Sequence, residues 1–290
     1  MSETSNAPDH QNVIVTGAGG YVGRHVVTAL LERGKAVTAI VRPGSRREVD
    51  SRATIVEADI LADDFDVTTL APVAPGVLVH LAWQDGFSHN ANSHMESLSA
   101  HFRFLNAAAD WGVQRIAALG TMHEVGYWEG AIDAETPTNP LSLYGIAKDA
   151  LRRAALTQLA GRIELQWIRC YYIYGDDRNN RSIFTRLLEA ADEGKTSFPF
   201  TTGVAKYDFI DVEELGRQIA VVAGQSQVTG VVNCCSGVPV SLADKVEEFI
   251  AQKDLDLTLE YGAFPDRLYD SPAVWGDATV IRELMAADAS

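Results

Sequence analysis

The chain has 290 residues, 47% of them hydrophobic and 22% charged, a composition that excludes a largely disordered polypeptide. Its 24 lysines and arginines against 39 aspartates and glutamates leave a formal charge of −15. That excludes a general nucleic-acid binder and argues against docking on anionic membranes, because both need a basic face.

Residues 1–11 are polar, lack an apolar signal core and read as a tail. The run 12–16 (NVIVT) is a short β-branched strand. It meets a glycine-rich turn, and 24–33 follows as a helix with apolar Val26, Val27, Leu30 and Leu31, stopped by Gly34. Strands are expected at 36–41, 53–57, 76–81, 115–119 and 164–169, with helices at 93–111 and 142–159 between the later ones. Beyond about Tyr174 the pattern is irregular. A polar loop at 176–181 leads to a helix at 183–193, and 207–212 and 230–234 read as strands that return to the sheet. Helix 242–252 and the tail complete the chain. Alternation of strands and helices at this spacing predicts an α/β fold, a doubly wound parallel sheet covered on both faces. The division expected is a nucleotide-binding domain over 12–174, with strands from about 205–235 returning to it. Residues 175–204 and 236–290 form a small lobe for substrate. No run of about 18 apolar residues is present, so no membrane span is expected. Cys170, Cys234 and Cys235 make neither a disulfide framework nor a zinc motif, which points to a reducing, cytoplasmic setting and no metal site. His80, His89, His94 and His123 come from different elements without metal-ligand spacing.

The turn reads Thr16-Gly17-Ala18-Gly19-Gly20-Tyr21-Val22-Gly23. Gly17 permits the tight turn, Gly20 lets backbone approach a pyrophosphate, and Gly23 lets helix pack on strand. Helix N–H groups from Tyr21 and Val22 onward then face the phosphates. Tyr144 and Lys148 lie four apart, on one face of the 142–159 helix. The chemistry needs such a pair: hydride reduction of a ketone creates an alkoxide that a phenol must protonate, and a neighbouring ammonium favours the phenol's ionised form and lowers its pKa.

The G-x-x-G-x-x-G turn at 17–23 and the Tyr-x-x-x-Lys pair about 120 residues later resemble the extended short-chain dehydrogenase/reductase family, also called the NAD-dependent epimerase/dehydratase family. Within it, the stretch 120–148 resembles bacterial nucleotide-sugar 4-ketoreductases, such as dTDP-4-dehydro-6-deoxyglucose reductases. The resemblance implies a Rossmann fold and a third catalytic group, Thr121, with Lys148 also holding the nicotinamide ribose. It implies cofactor contacts from Asp59 and Ile60, from Leu81, Ala82 and Trp83, and from Tyr171. Asp59 equally suits a turn or helix cap. Strand 36–41 ends at Arg42, with Arg46 and Arg47 close behind and no acid at the tip. Arginine there accommodates a 2′-phosphate, so NADP(H) is expected ahead of NAD.

The expected reaction is therefore NADPH-dependent reduction of the 4-keto group of a nucleotide-linked 4-keto-6-deoxysugar. A nucleotide-sugar 4-epimerase with bound NAD and a reductase of non-sugar ketones are the alternatives. A 4,6-dehydratase is disfavoured because Met122 and His123 stand where those enzymes carry an acid pair. Met122, His123 and Tyr172 are expected at the substrate, and Arg178, Arg181, Lys206 and Arg267 are candidates for the diphosphate. The resemblance also implies a homodimer through helices 93–111 and 142–159, although the stripe Leu98, Phe102, Leu105 and Ala109 would equally serve to face the chain's own sheet.

Overall fold

The structure, a computed structural model, describes residues 12–45, 49–72, 74–175, 178, 180–265 and 271–289. Arg46, Arg47, Arg267 and the 1–11 segment lie outside the described residues, as does part of the 176–181 loop. The first half of the chain runs β1 (Asn12–Thr16), α1 (Gly23–Glu32), β2 (Ala36–Val41), β3 (Thr54–Glu57), β4 (Val77–His80), α2 (Ser93–Glu96), α3 (Leu98–Trp111), β5 (Arg115–Thr121), β6 (Gly130–Ile132) and α4 (Leu143–Gln158). The second half runs β7 (Glu164–Cys170), β8 (Tyr172–Tyr174), α5 (Ile183–Asp192), β9 (Ser197–Pro199), β10 (Lys206–Asp211), α6 (Val212–Gly224), β11 (Gly230–Cys234), β12 (Pro239–Ser241), α7 (Leu242–Gln252), β13 (Thr258–Glu260), β14 (Ala273–Gly276) and α8 (Thr279–Asp288).

Among the described residues the main sheet has seven parallel strands in the order β11-β7-β5-β4-β1-β2-β3. Side chains alternate across it. Val13 and Val15 of β1 and Val77 and Val79 of β4 join one core with Val26, Val27 and Leu30 of α1 and Leu215 and Ile219 of α6. Ile14 and Leu78 point the other way, into a second core with Phe104, Leu105 and Ala108 of α3 and Leu151 and Ala155 of α4. Apolar residues on both faces are what a doubly wound parallel sheet demands. Strand order reverses between β1 and β4, so a crevice opens beyond their carboxyl ends.

The helix expected over 93–111 is two helices, broken at Ser97. The short first piece is held by its own contacts: Trp83 Nε1 donates to His94 Nδ1 (3.0 Å), and His94 is buried. Of the two strands expected to return to the main sheet, β11 does so, beside β7. Strand β10 instead lies in a second sheet, ordered β12-β10-β14-β6, with β8 also paired to it. Asp208 lies on this strand. This buried carboxylate accepts the N–H of Ser236 (2.8 Å), Gly237 (2.9 Å) and Gly276 (3.1 Å) and the Ser236 hydroxyl (2.6 Å). In this second sheet the buried charge is met by four donors, as a buried carboxylate requires.

Candidate active site

The glycine turn follows β1 and packs against the chain leaving β4. Gly17 adopts φ +68°, and a Cβ there would come within 2.7 Å of the Ala82 nitrogen. A Cβ on Gly20 would sit 2.9 Å from the Gly17 carbonyl, and one on Gly23 would overlap it. No other residue fits this turn, and the bare backbone leaves room for a close-approaching phosphate at the start of α1. Tyr21 is buried beside it, its hydroxyl donating to the Gly175 carbonyl (2.6 Å), while Val22 is half-buried just before α1. Leu81 and Ile60 are buried and Asp59 is exposed, its carboxylate accepting the Leu61 N–H (3.2 Å). Arg42 is exposed at the end of β2. The tip of β2 is not free of acid in three dimensions. Glu57, opposite Val41 in the sheet register, brings its carboxylate to the Gly44 N–H (3.3 Å).

Thr121, Tyr144 and Lys148 come together across the crevice. Thr121 ends β5, is buried, and its hydroxyl accepts the His123 N–H (3.3 Å). Helix α4 begins at Ser142, whose hydroxyl accepts the Gly145 N–H (3.2 Å), a cap that fixes the first turn and Tyr144 in it. The loop after β4 reinforces that end: Tyr144 N donates to the His89 carbonyl (2.8 Å) and Leu143 N to Asn90 Oδ1 (3.2 Å). Lys148, one turn on, is buried. Its ammonium donates to the Leu119 carbonyl (2.6 Å) and lies 3.9 Å from the centre of the Trp83 ring. Trp83 stacks on His101 (4.4 Å, 14°) and meets Tyr144 edge-on (6.3 Å). Beneath it His101 and His80 share a hydrogen bond (3.0 Å), and His80 shares another with the Thr16 hydroxyl (2.8 Å). Burial keeps all these imidazoles neutral, with His101 lowered to about 3.

The electrostatics correct one expectation. Burial, with a contribution from Cys170, pushes the Tyr144 phenol well above its ordinary value, and the Thr121 side chain opposes this. Lysine was expected to lower it, but burial of the phenol outweighs the helical spacing to Lys148, whose ammonium donates to Leu119 and lies over Trp83. Burial also lowers Lys148 itself to about 8, with Glu124 pulling the other way.

Of the residues expected at the substrate, His123 faces the site. Its ring centre is 6.0 Å from Tyr144, 6.3 Å from Tyr172 and 4.4 Å from His89, and burial lowers its pKa to about 3. Met122 is buried in the core on the α1 and α6 side. Tyr171 is buried, its hydroxyl donating to Asn233 Oδ1 (3.1 Å) on β11 of the main sheet. Arg178 is paired with Asp192 (2.6 Å) at the surface rather than turned to the crevice. Sequence reasoning missed three residues that the fold brings in. His89 stacks on Tyr144 (5.6 Å, 17°), Glu57 reaches the β2 tip, and Glu124 is wholly buried behind Thr121. His89 and Glu57 stand at no motif spacing and only tertiary contact reveals them, whereas Thr121 and Glu124 are spaced as a capping box, a local signal that could have found Glu124. Among the described residues no group of three His, Cys, Asp or Glu is placed to hold a metal ion, and no helix is long and apolar enough to cross a membrane.

Fold and site together define an extended short-chain dehydrogenase/reductase. Residues 13–235 match the NAD dependent epimerase/dehydratase family, and the chain belongs to it. It works on CH–OH/C=O centres, as that family does. It is 45% identical over 270 residues to dTDP-6-deoxy-L-talose 4-dehydrogenase (NAD(+)) of Aggregatibacter actinomycetemcomitans, with 91% of this chain and 99% of that one aligned. Solved structures share the fold. They include MoeE5 in complex with UDP-glucuronic acid and NAD (TM-score 0.78, 24% identity, 95% and 92% of the two chains). Another is the UDP-N-acetylglucosamine 4-epimerase of Methanobrevibacter ruminantium M1 (TM-score 0.81, 19% identity, 94% and 91%). The relative from A. actinomycetemcomitans overturns the expected NADPH-dependent reduction, because its name specifies NAD(+) and the oxidising direction. Arg42 is not the only charge at this corner: the Glu57 carboxylate reaches the Gly44 N–H just past the tip of β2.

Proposed function

We propose that the protein oxidises the 4-hydroxyl of a dTDP-linked 6-deoxysugar, dTDP-6-deoxy-L-talose or a close relative of it, with NAD+. The observation that carries this reading is 45% identity along 99% of a dehydrogenase so named, in a chain whose Thr121, Tyr144 and Lys148 converge on one crevice. Gly17, Gly20 and Gly23, with the N–H groups of Tyr21 and Val22, would hold the pyrophosphate of NAD. Glu57, Asp59 and Ile60 line its adenosine end. Leu81, Ala82 and Trp83 would run beside the nicotinamide, and Lys148 would hold the adjoining ribose. When bound, NAD+ supplies the acceptor for the hydride that leaves C4 of the sugar.

The protein's own groups handle the proton. Tyr144 takes it from the 4-hydroxyl as the C–H bond breaks, and the Thr121 hydroxyl orients that oxygen through a hydrogen bond. Lys148 supplies the positive charge that the tyrosinate needs in a buried setting. His123, held neutral by burial, offers one donor and one acceptor to a neighbouring sugar hydroxyl, with Tyr172 as the wall beside it. The test is absorbance at the NADH band with purified protein, NAD+ and dTDP-6-deoxy-L-talose. NADH formation with a 4-keto sugar product is expected. No NADH with this sugar nucleotide refutes the reading.

A further inference from the structure

Glu124 is fully buried, three residues past Thr121, and charged groups converge on it from two elements, α4 and β7. One oxygen, Oε1, accepts the Thr121 N–H (2.8 Å) and the Trp167 indole N–H (2.9 Å). The other, Oε2, lies 3.6 Å from Arg152 Nε on α4 and 3.7 Å from Arg169 Nη2 on β7, and has no hydrogen-bond partner among the described residues. Arg152 is tied in turn to Asp149 (2.6 Å) on the same helix as Tyr144 and Lys148. Arg169 donates to the Asp133 carbonyl (2.9 Å). The carboxylate therefore joins the turn bearing Thr121 to the helix bearing the other two groups. Burying a charge costs several kcal/mol, on the order of what a whole domain's net stability allows, so a buried carboxylate behind an active site calls for a role.

We propose that Glu124 is a positioning residue: its carboxylate fixes the Thr121 turn against helix α4 and supplies the negative charge against which Tyr144 and Lys148 are set. The titratable and charged groups facing it are Tyr144, Lys148, Asp149 and Arg152 from α4, and Arg169 and Cys170 from β7. Its charge favours the proton on Lys148 and on Tyr144 alike. Removing it should move both titrations to lower pH. Removing the Arg152 charge should move them the opposite way. A scaffold role would alter rates or stability without this opposed pair of shifts.

The proposal rests on the reading of Thr121, Tyr144 and Lys148 as catalytic, and the experiment separates the two. In ligand-free protein labelled with 13C at lysine Cε, the Lys148 resonance, assigned with Lys148→Arg, is titrated in wild type, Glu124→Gln and Arg152→Gln. Wild type should titrate near 8, Glu124→Gln roughly one pH unit lower, and Arg152→Gln higher. The pH profile of NADH formation should shift in the same senses. An unmoved or raised Lys148 midpoint in Glu124→Gln overturns the proposal. Should that variant not fold, an unmoved or lowered midpoint in Arg152→Gln overturns it instead. Shifted midpoints in a protein that oxidises no sugar nucleotide would leave Glu124 in its role and sink the proposed reaction.

Discussion

Gly120 is the residue on which the geometry behind the site can be tested most directly. A Cβ added there would overlap the Trp167 indole nitrogen, and it would lie 2.8 Å from Trp167 Cδ1 and 2.6 Å from Glu124 Oε1. Trp167 and Glu124 are both fully buried and hydrogen-bonded to each other, so neither has a free direction to move. Overpacking a tight core costs about 1–3 kcal/mol. Separating the indole N–H from the carboxylate adds about 1–3 kcal/mol for the polar groups left unmatched. Gly120→Ala should therefore cost about 2–6 kcal/mol. Urea unfolding followed by tryptophan fluorescence measures this as a lower midpoint at unchanged slope. Trp167→Phe removes the clashing nitrogen, so the double variant should be more stable than the sum of the two single losses, by 1 kcal/mol or more on the usual scale of about 0.5–3 kcal/mol for contacting pairs. A loss under about 1 kcal/mol for Gly120→Ala, or strict additivity in the cycle, would refute the packing argument.

Three further outcomes follow from the site. Tyr144→Phe should lower turnover about 10²- to 10⁴-fold while NAD+ binding, measured by calorimetry, stays within a factor of about two; equal loss of both would remove the phenol from the proton step. Glu57→Gln should narrow the preference for NAD+ over NADP+ by roughly fivefold in binding titrations, about 1 kcal/mol for an exposed charge, and an unchanged ratio would acquit Glu57 of any part in selectivity. The three cysteines are buried, with Cys170 pushed up to about 12 by burial and Cys234 and Cys235 also raised. A thiol reagent at pH 8 should thus find no fast-reacting cysteine until denaturant is added.

Much of the architecture is legible in local pattern. The β1 run, the glycine turn and the apolar stripe of α1 each follow from residues within a few positions of one another, and so does the helical spacing of Tyr144 and Lys148. A parallel strand buried on both faces has to be apolar throughout, and a helix has to repeat near 3.6, so such signals survive in one dimension. The resemblance carried by 17–23 and 144–148 also led to the right family. It failed where charge from another strand or burial decides the outcome. Arg42 predicts NADP(H) from the chain alone, but Glu57, 15 positions later, pairs in register with the neighbouring Val41 and reaches the Gly44 N–H, and both cofactor and direction differ from expectation. Tyr144 was given a low pKa from its spacing to Lys148, yet enclosure by the fold raises it.

The sequence by itself determined the class of fold, the glycine-rich turn and the tyrosine–lysine pair, because each depends on neighbours in the chain and on which side chains a given backbone admits. Tertiary structure alone decided that β10 leaves the main sheet for a nest of donors around Asp208, that Glu57 shares the corner with Arg42, and that Glu124 lies buried behind Thr121. The physical reason is the same in each case. A charge acts through distance and dielectric, and both are set by what the folded chain places around it, not by position along the sequence.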